Sequence, residues 1–446
     1  MVVTAFAALL CIAGCVAVAW NKRQSAAITF QSGTSFYIAA MLCLKTMGLT
    51  ALVPLAPETW LALPGRAAYR EVVTMLQQRP ISVSVLPLSI DPVGTSYATL
   101  SLLVAFSVGM IAMVLPTSLL LSVLGLLVAM AVAQAVLGLL QTALGTPSFM
   151  GYDIAIGSHR ASGTFVNKNH YATLLAMSLP LLIFRTAGQI RFSSRIVERS
   201  SLSNVWWGVS AALVAVALVA SLSRAGSAAG FSVAVIAALL CVFRKQTTMK
   251  QRLGLLAIAF LTLALAAGSS LTLLLDSLKG SAFADSAEGR QSIVRLSLLG
   301  VNAFFPVGSG LGSYPIAFLR FQAEGVAWYV EHVHNDYVEL IFETGIVGVV
   351  VLLCFAVAAI LSARQIWKEQ PTDELLSPAI ACWLGALAFA IHALFDFPAH
   401  IPGLTIVVSL LFGAAMNGYL AKSTVGSLRP QRKPYVFRTP VDRNGE

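Results

Sequence analysis

Charge is scarce in this sequence. Only 11% of its 446 residues are Asp, Glu, Lys or Arg while 57% are hydrophobic, where a soluble domain carries roughly 25% charged residues. That scarcity excludes an ordinary soluble protein and predicts a polytopic membrane protein. A spaced cysteine framework is lacking as well: Cys11, Cys15, Cys43, Cys241, Cys354 and Cys382 all fall inside apolar runs and read as small packing residues. There is no internal repeat, and no basic segment precedes the first apolar run, which therefore reads as a span and not as a cleaved leader. The formal charge of +10 is scattered over short loops and one tail, a distribution that speaks against nucleic acid as a partner.

Apolar runs of about 17 to 25 residues are long enough to cross a bilayer as helices. Eleven are counted, at about 2–20, 36–54, 97–115, 118–144, 171–184, 205–222, 225–243, 253–275, 346–361, 378–395 and 401–420. The expected fold is all-α: a transmembrane domain over 1–421 with one large loop at 276–345, then a basic, disordered tail at 422–446. Lys45 inside the second run must face a polar cavity or snorkel. With alternating spans, Lys22, Arg23, Arg185, Arg191, Arg195, Arg199, Arg244, Lys245, Lys250, Arg252, Arg364, Lys368 and the tail share one side. By the positive-inside rule that side is cytoplasmic. The loops at 56–96, 145–170, 223–224, 276–345 and 396–400 then lie outside. Within the first of these, Tyr69, Val72, Val73 and Leu76 recur at helical spacing, with Arg66, Arg70, Glu71 and Arg79 off that face, predicting an interfacial amphipathic helix over 64–80.

The most polar stretch runs from Asp285 to Gly348 and contains AEGR at 287–290, GSGLGSY at 308–314 and YVEHVHNDYVELIFETGIVG at 329–348. A long irregular segment cannot cross lipid, because each unpaired peptide group costs several kcal/mol there. It is read as an extramembrane loop carrying chemistry. Single arginines recur at the outer face: Arg160, Arg224 and Arg290. Each alone reads equally as an interfacial anchor, but three converging make a diphosphate clamp, because the planar guanidinium matches phosphate oxygens bidentately. His332, His334 and Asp336 alternate, so on an extended strand they share one face as metal ligands would. No further histidine follows at zincin spacing, and the competing reading makes His334 a general base whose tautomer is set by Asp336 or Glu339. Asp396, between His392 and His400, either orients an arginine or histidine of the large loop or caps a helix end. Gly308, Gly310 and Gly312 lack a βαβ context and read as a tight turn.

His334 and Asn335 followed by Gly345 and Gly348, together with RASGTFVNKNHYA at 160–172, SLSRAG at 221–226, EGR at 288–290 and the glycine turn, resemble the bacterial O-antigen ligases and related polysaccharide polymerases. The family pattern continues with threonine where this chain has Val349. The resemblance spans about 160–402. It implies an integral-membrane glycosyltransferase of the bacterial inner membrane that moves a glycan from an undecaprenyl diphosphate carrier to lipid A core, to a growing glycan or to a protein, without metal or nucleotide. Arg160, Arg224 and Arg290 match the family's donor-diphosphate arginines and His334 its essential histidine, with Asn335, Asp336, Glu339 and Asp396 in support. Family members commonly carry twelve spans, so the resemblance leaves two counts open, eleven as read or twelve with a start missed upstream. A transporter or flippase is the rival class, but it would show repeated halves and broken helices at mid-membrane.

Overall fold

The computed structural model describes residues 33–78, 84–145, 148–149, 152–153, 160–190, 192, 201–244, 247–260, 264, 283–322, 329–369 and 376–422. The first predicted span, most of the run at 253–275 and the tail beyond Lys422 lie outside the described residues. The principal helices are α1 (Thr34–Thr50), α2 (Pro92–Val114), α3 (Thr117–Leu144), α4 (Lys168–Thr186), α5 (Ser201–Ala220), α6 (Arg224–Val242), α7 (Phe283–Phe304), α8 (Asp336–Thr344), α9 (Ile346–Lys368), α10 (Pro378–His392) and α11 (Pro402–Ala415). Strand is confined, among the described residues, to two antiparallel ladders two residues long, Pro54–Leu55 with Leu86–Pro87 and Ser148–Phe149 with Tyr152–Asp153. Of the predicted runs, α2, α3, α6 and α9 are long and apolar enough to cross a membrane, and 205–220, α10 and α11 are shorter apolar helices. The chain is a multi-pass membrane protein of the all-α class.

The hub is α4. From Asn169 to Thr186 every residue is buried, because α5, α6 and α10 pack around it. A helix enclosed on all sides needs no lipid-facing stripe, which is why this short run tolerates Thr173, Ser178 and Pro180. In lipid, helix association rests on close van der Waals fit between small residues. A Cβ on Gly226 of α6 would fall 2.5 Å from the Cβ of Ala172, and one on Gly385 of α10 would fall 2.5 Å from the Met177 carbonyl oxygen. A second group packs α2 against α11 and α1 against α9 around Tyr37, Met41, Leu44, Met113 and Val351. Lys45 of α1 is half-buried.

Among the described residues, helix ends and the segments that join them meet in two groups, one at each end of this bundle. At one end Gln189 Oε1 accepts from the Leu376 amide at 2.8 Å, and Arg244 stacks on Trp367 with its Cζ 5.8 Å from the ring. Arg185 departs from the expected water-facing loop: it is 2% exposed and lies over Trp207, 5.1 Å from its centroid. At the other end the amide of Ala161 donates to the Ala220 carbonyl, and Gln141 of α3 donates to the Gly163 carbonyl at 2.8 Å.

The polar stretch differs from the irregular loop expected of it. Its first part is the regular helix α7, and its second folds back as the extended segment 329–334 and α8. They enclose a core of Phe304, Tyr314, Phe318, Val330, Val333 and Phe342. The glycine turn is the hinge of this unit, with φ of 85° at Gly308, 116° at Gly310 and 72° at Gly312, the left-handed region where only glycine is unstrained. A Cβ at Gly310 would strike Ser89, and one at Gly308 the Glu343 carbonyl. Arg66 is the other correction. The expected amphipathic helix spans only Arg70–Gln77, and Arg66 is fully buried, held between the rings of Trp60 and Phe304 at 5.4 and 5.2 Å. It donates to the carbonyls of Leu88 at 3.0 Å and Gly308 at 3.1 Å, tying the 56–96 loop to the glycine turn. Burial lowers its pKa to about 10.

Candidate active site

Five of the chain's six histidines, His170, His332, His334, His392 and His400, gather at the loop-bearing end of the bundle. They arrive by different routes. His170 stands in the first turn of α4, whose N-cap Asn167 accepts from the Asn169 amide at 2.8 Å. His392 closes α10, and its Nδ1 pairs with Thr173 Oγ1 at 2.7 Å. His400 ends a 3-10 turn at Pro398–His400. His332 and His334 precede α8, whose N-cap Asn335 accepts from the amides of Tyr337 and Val338 at 3.1 Å while its own amide donates to the Leu394 carbonyl. Phe397 fills the middle: His332 stacks on it at 4.3 Å between centroids, while His170 and His334 meet it edge-on at 4.9 and 5.1 Å.

The pairing of these groups differs from that expected of an alternating strand. His334 has φ of 60°, a conformation that costs a non-glycine residue roughly 1 kcal/mol or more and turns its side chain away from the face of His332. Its Nδ1 meets Asp396 Oδ1 at 3.1 Å. Asp396, and neither Asp336 nor Glu339, is therefore the carboxylate that sets the His334 tautomer. Burial pushes the Asp396 carboxyl up, but the His334 hydrogen bond and the neighbouring imidazoles of His392 and His170 prevail and hold it below the usual carboxylate range. With Asp396 ionised, Nδ1 of His334 carries the proton and Nε2 keeps its lone pair. His334 is a quarter exposed and Asp396 not at all. Asp396 Oδ2 and His170 Nε2 lie 3.9 Å apart, and neither has a hydrogen-bond partner among the described residues. Burial first, and the nearby histidines after it, lower His170 to about 4 against the pull of Asp396, so it is neutral at physiological pH.

Asp336, Glu339, His332 and His400 form a separate network. Glu339 Oε1 meets His332 Nδ1 at 2.7 Å and His400 Nε2 at 3.1 Å, and Asp336 Oδ1 meets His400 Nδ1 at 3.0 Å. Asp336 Oδ2 accepts from the Ala399 amide and Glu339 Oε2 from the Val333 amide, both at 2.9 Å. Burial disfavours charge on His400, yet Glu339 and Asp336 outweigh it and lift its pKa to about 10. The His332, Glu339 and His400 ligand atoms lie within 4.8 Å of one another, a spacing that suits a metal ion. A metal there would have to displace the protons that bridge these groups, since a ligating imidazole must offer a lone pair. The predicted set of His332, His334 and Asp336 is not assembled at all. This network locks α8 to the 396–402 turn, and so fixes Asp396 beside His334.

The arginines come from three elements. Arg224 opens α6 behind the N-cap Ser223, Arg290 lies in α7 and Arg160 precedes α4, and all three side chains are exposed. A residue not singled out from sequence joins them. Lys168, within the quoted stretch 160–172, donates from Nζ to the Leu222 carbonyl at 2.9 Å. Burial lowers its pKa to about 8, with the charges of Arg160, Arg290 and Arg224 adding to the depression and Asp396 opposing it. Four cations and the positive N-terminal ends of α4 and α6 thus converge next to Asp396, an arrangement suited to a multiply charged anion. A cavity of about 210 Å³ opens on the other flank of His334, lined by Ile293, Tyr329, Val330, Glu331, His332, His334 and Phe397. A larger recess of about 1120 Å³ lies along the far end of α9 between Leu361 and Glu369, remote from every group described here.

A helical multi-pass membrane protein with five histidines, three buried carboxylates and a group of cations gathered at one end of the bundle is the class these observations define. Residues 209–353 match the family model described as O-antigen ligase. No curated protein matches it. The matched third takes in Arg224, Arg290 and the whole of α8, and stops short of Arg160, Lys168, His170 and Asp396. The signature glycines have a packing reason: Gly345, at φ of 59°, ends α8 where a Cβ would strike the Pro306 carbonyl, and the Ile346 amide donates to that same carbonyl at 3.0 Å.

Proposed function

We propose that this chain is a glycosyltransferase at the periplasmic face of a bacterial inner membrane. It takes a glycan from an undecaprenyl diphosphate carrier and moves it to a hydroxyl of lipid A core, of a growing glycan or of a protein. The observation that carries the reading is the Asp396–His334 pair standing beside the cluster of Arg160, Arg224, Arg290 and Lys168. As the bond from the sugar C1 to the diphosphate breaks, negative charge grows on the leaving oxygen. Fixed cations stabilise that charge more than they stabilise the ground state. His334 Nε2 takes the proton of the incoming hydroxyl on the opposite face, Asp396 stabilises the imidazolium that forms, and C1 inverts in a single displacement. No step calls for a metal or a nucleotide, since the lipid diphosphate is itself the activated donor.

The test is turnover by the full chain in liposomes, read as release of polyprenyl diphosphate from a polyprenyl-diphosphate-linked glycan in the presence and absence of each acceptor class. Arg290→Lys keeps a charge but loses the planar fork. It is expected to lower turnover nearly as far as Arg290→Ala, roughly 10²-fold or more for a charge-stabilising donor. Full activity in both variants would remove Arg290 from the site. Orientation is tested in intact spheroplasts with an impermeant thiol reagent, in a background lacking the native cysteines. Val166→Cys, at a position 82% exposed, is expected to label, and Met249→Cys, at a position 69% exposed, is not. Labelling at 249 alone would place the site on the cytoplasmic side.

A further inference from the structure

Three ligand-bearing side chains from three separate segments end at one point outside the His334–Asp396 pair. Glu339 Oε1, in the first turn of α8, is met by His332 Nδ1 from the extended segment at 2.7 Å and by His400 Nε2 from the 3-10 turn at 3.1 Å. The three ligand atoms lie within 4.8 Å of one another. Ligands held about 2.0 to 2.1 Å from a tetrahedral zinc ion stand about 3.3 Å apart, so an ion centred among these atoms needs each contact to lengthen by less than about 1 Å. Two further features belong to a built site. The outer hydrogen bonds aim the ligand atoms inward: Asp336 Oδ1 meets His400 Nδ1 at 3.0 Å and so holds Nε2 toward the centre, while the Val333 amide occupies Glu339 Oε2 at 2.9 Å and leaves Oε1 free to turn to an ion. There is also a way in. Glu339 is fully buried, but the His332 and His400 side chains are 18% and 23% exposed, and His332 lines the open recess of about 210 Å³. An ion can enter from water and keep a water molecule as its fourth ligand.

We propose that His332, Glu339 and His400 form a binding site for one divalent transition-metal ion of the zinc class, with Asp336 orienting His400 from outside the coordination sphere. Two imidazoles with one carboxylate suit Zn²⁺ and Co²⁺, whereas Mg²⁺ and Ca²⁺ take oxygen ligands. The ion takes the place of the protons that bridge Glu339 to the two rings, and each ring then ligates through a lone pair. The site stands apart from the proposed chemistry, because His334 Nδ1 belongs to Asp396 and neither residue is a ligand. Its effect is structural: one ion cross-links the segment before α8, α8 itself and the 396–402 turn, the three pieces whose arrangement sets Asp396 beside His334. The inference goes beyond the transferase reading and holds whether or not a glycan is transferred.

Equilibrium dialysis of the full chain in nanodiscs against Zn²⁺, with the cysteines replaced and no histidine tag, reads the site without any substrate. One ion per chain is expected, bound through nitrogen and oxygen alone, with the outer-shell scattering of two imidazoles in the X-ray absorption spectrum at the zinc edge. Zn²⁺ should also raise the Tm, because only the folded chain assembles the ligands. His332→Gln and His400→Gln should each weaken binding more than about 100-fold, and Asp336→Asn roughly 10- to 100-fold, the usual loss when an outer hydrogen bond to a ligating histidine is removed. His334→Asn should bind as wild type does. The amide of His332→Gln can still donate to Glu339, and an unchanged Tm without ion checks that this variant folds, so it decides the matter even where His400→Gln does not fold. Absence of a bound ion in wild type, a single imidazole in the spectrum, or undiminished binding in His332→Gln overturns the site. Equal loss in His334→Asn overturns it too, since the ion would then sit with the other ring. No glycan donor is present, so each of these outcomes leaves the transferase reading standing.

Discussion

Replacing His334 by alanine is expected to lower glycan transfer by roughly 10²- to 10⁴-fold, the range a positioned general base supplies, while the protein still inserts and still binds the lipid diphosphate donor. In the proposed reading donor affinity resides in the cations, and the His334 ring is held by its hydrogen bond to Asp396. The backbone at 334 has φ of 60°, so a second variant separates chemistry from folding. Asparagine tolerates the left-handed region but cannot accept a proton at neutral pH, and His334→Asn should be as inactive as His334→Ala with the α8 cap undisturbed. His332→Gln should lose far less, because His332 serves the Glu339 network and its amide substitute can still donate. If His332 and His334 proved equally essential and a chelator abolished wild-type activity until a divalent ion was restored, the base mechanism would fail and a metal site would replace it.

Asp396→Asn carries the second large effect. The asparagine amide would donate to Nδ1 of His334 or leave it unpaired, shifting the ring proton to Nε2, where the acceptor hydroxyl must be deprotonated. The same exchange in serine–histidine–aspartate triads costs about 10⁴ in turnover through the wrong tautomer, and a loss approaching that of His334→Ala is expected here. A merely structural Asp396 would give losses that multiply with those of His334→Ala in the double variant. Residues acting as one unit give a double variant no worse than either single one. The split of kinetic constants is a further check: the KM for donor should change little while kcat collapses.

Much of the site was legible in the sequence. Lone arginines among small residues and closely spaced histidines beside carboxylates are chemical signals that survive without coordinates. So are glycines at positions of positive φ, and Gly308, Gly310 and Gly312 adopt the turn their spacing suggests. Asp396 orients a histidine of the large loop, one of the two roles its position suggested, but the carboxylate assigned to His334 itself was a different one, for a definite reason. Assigning His334 to Asp336 or Glu339 assumed that neighbours in sequence stay neighbours in space, but one left-handed residue at 334 sends its ring to Asp396, 62 positions away, and hands Asp336 to His400. Arg66 looked like a solvated charge on an amphipathic helix because sequence shows its charge and hides the carbonyls of Leu88 and Gly308 that receive it. Lys168 was passed over between Asn167 and Asn169, since only the packing of α4 beside α6 brings it to the arginines. The helical character of α7 was masked by its polar start. Its spacing of Ile293, Ser297, Gly300 and Phe304 marks the buried face, where Ser297 meets the Tyr314 hydroxyl at 2.9 Å and Gly300 admits the ring of Phe342.

The anomeric configuration of the product tests the central claim most directly. With a polyprenyl-diphosphate-linked sugar of known anomer as donor and the reconstituted chain as catalyst, NMR of the isolated glycoside should show inversion at C1, formed in the presence of a chelator and absent with His334→Ala. Retention would require a glycosyl-enzyme intermediate and a nucleophile that the Asp396–His334 pair does not provide, and would contradict the account.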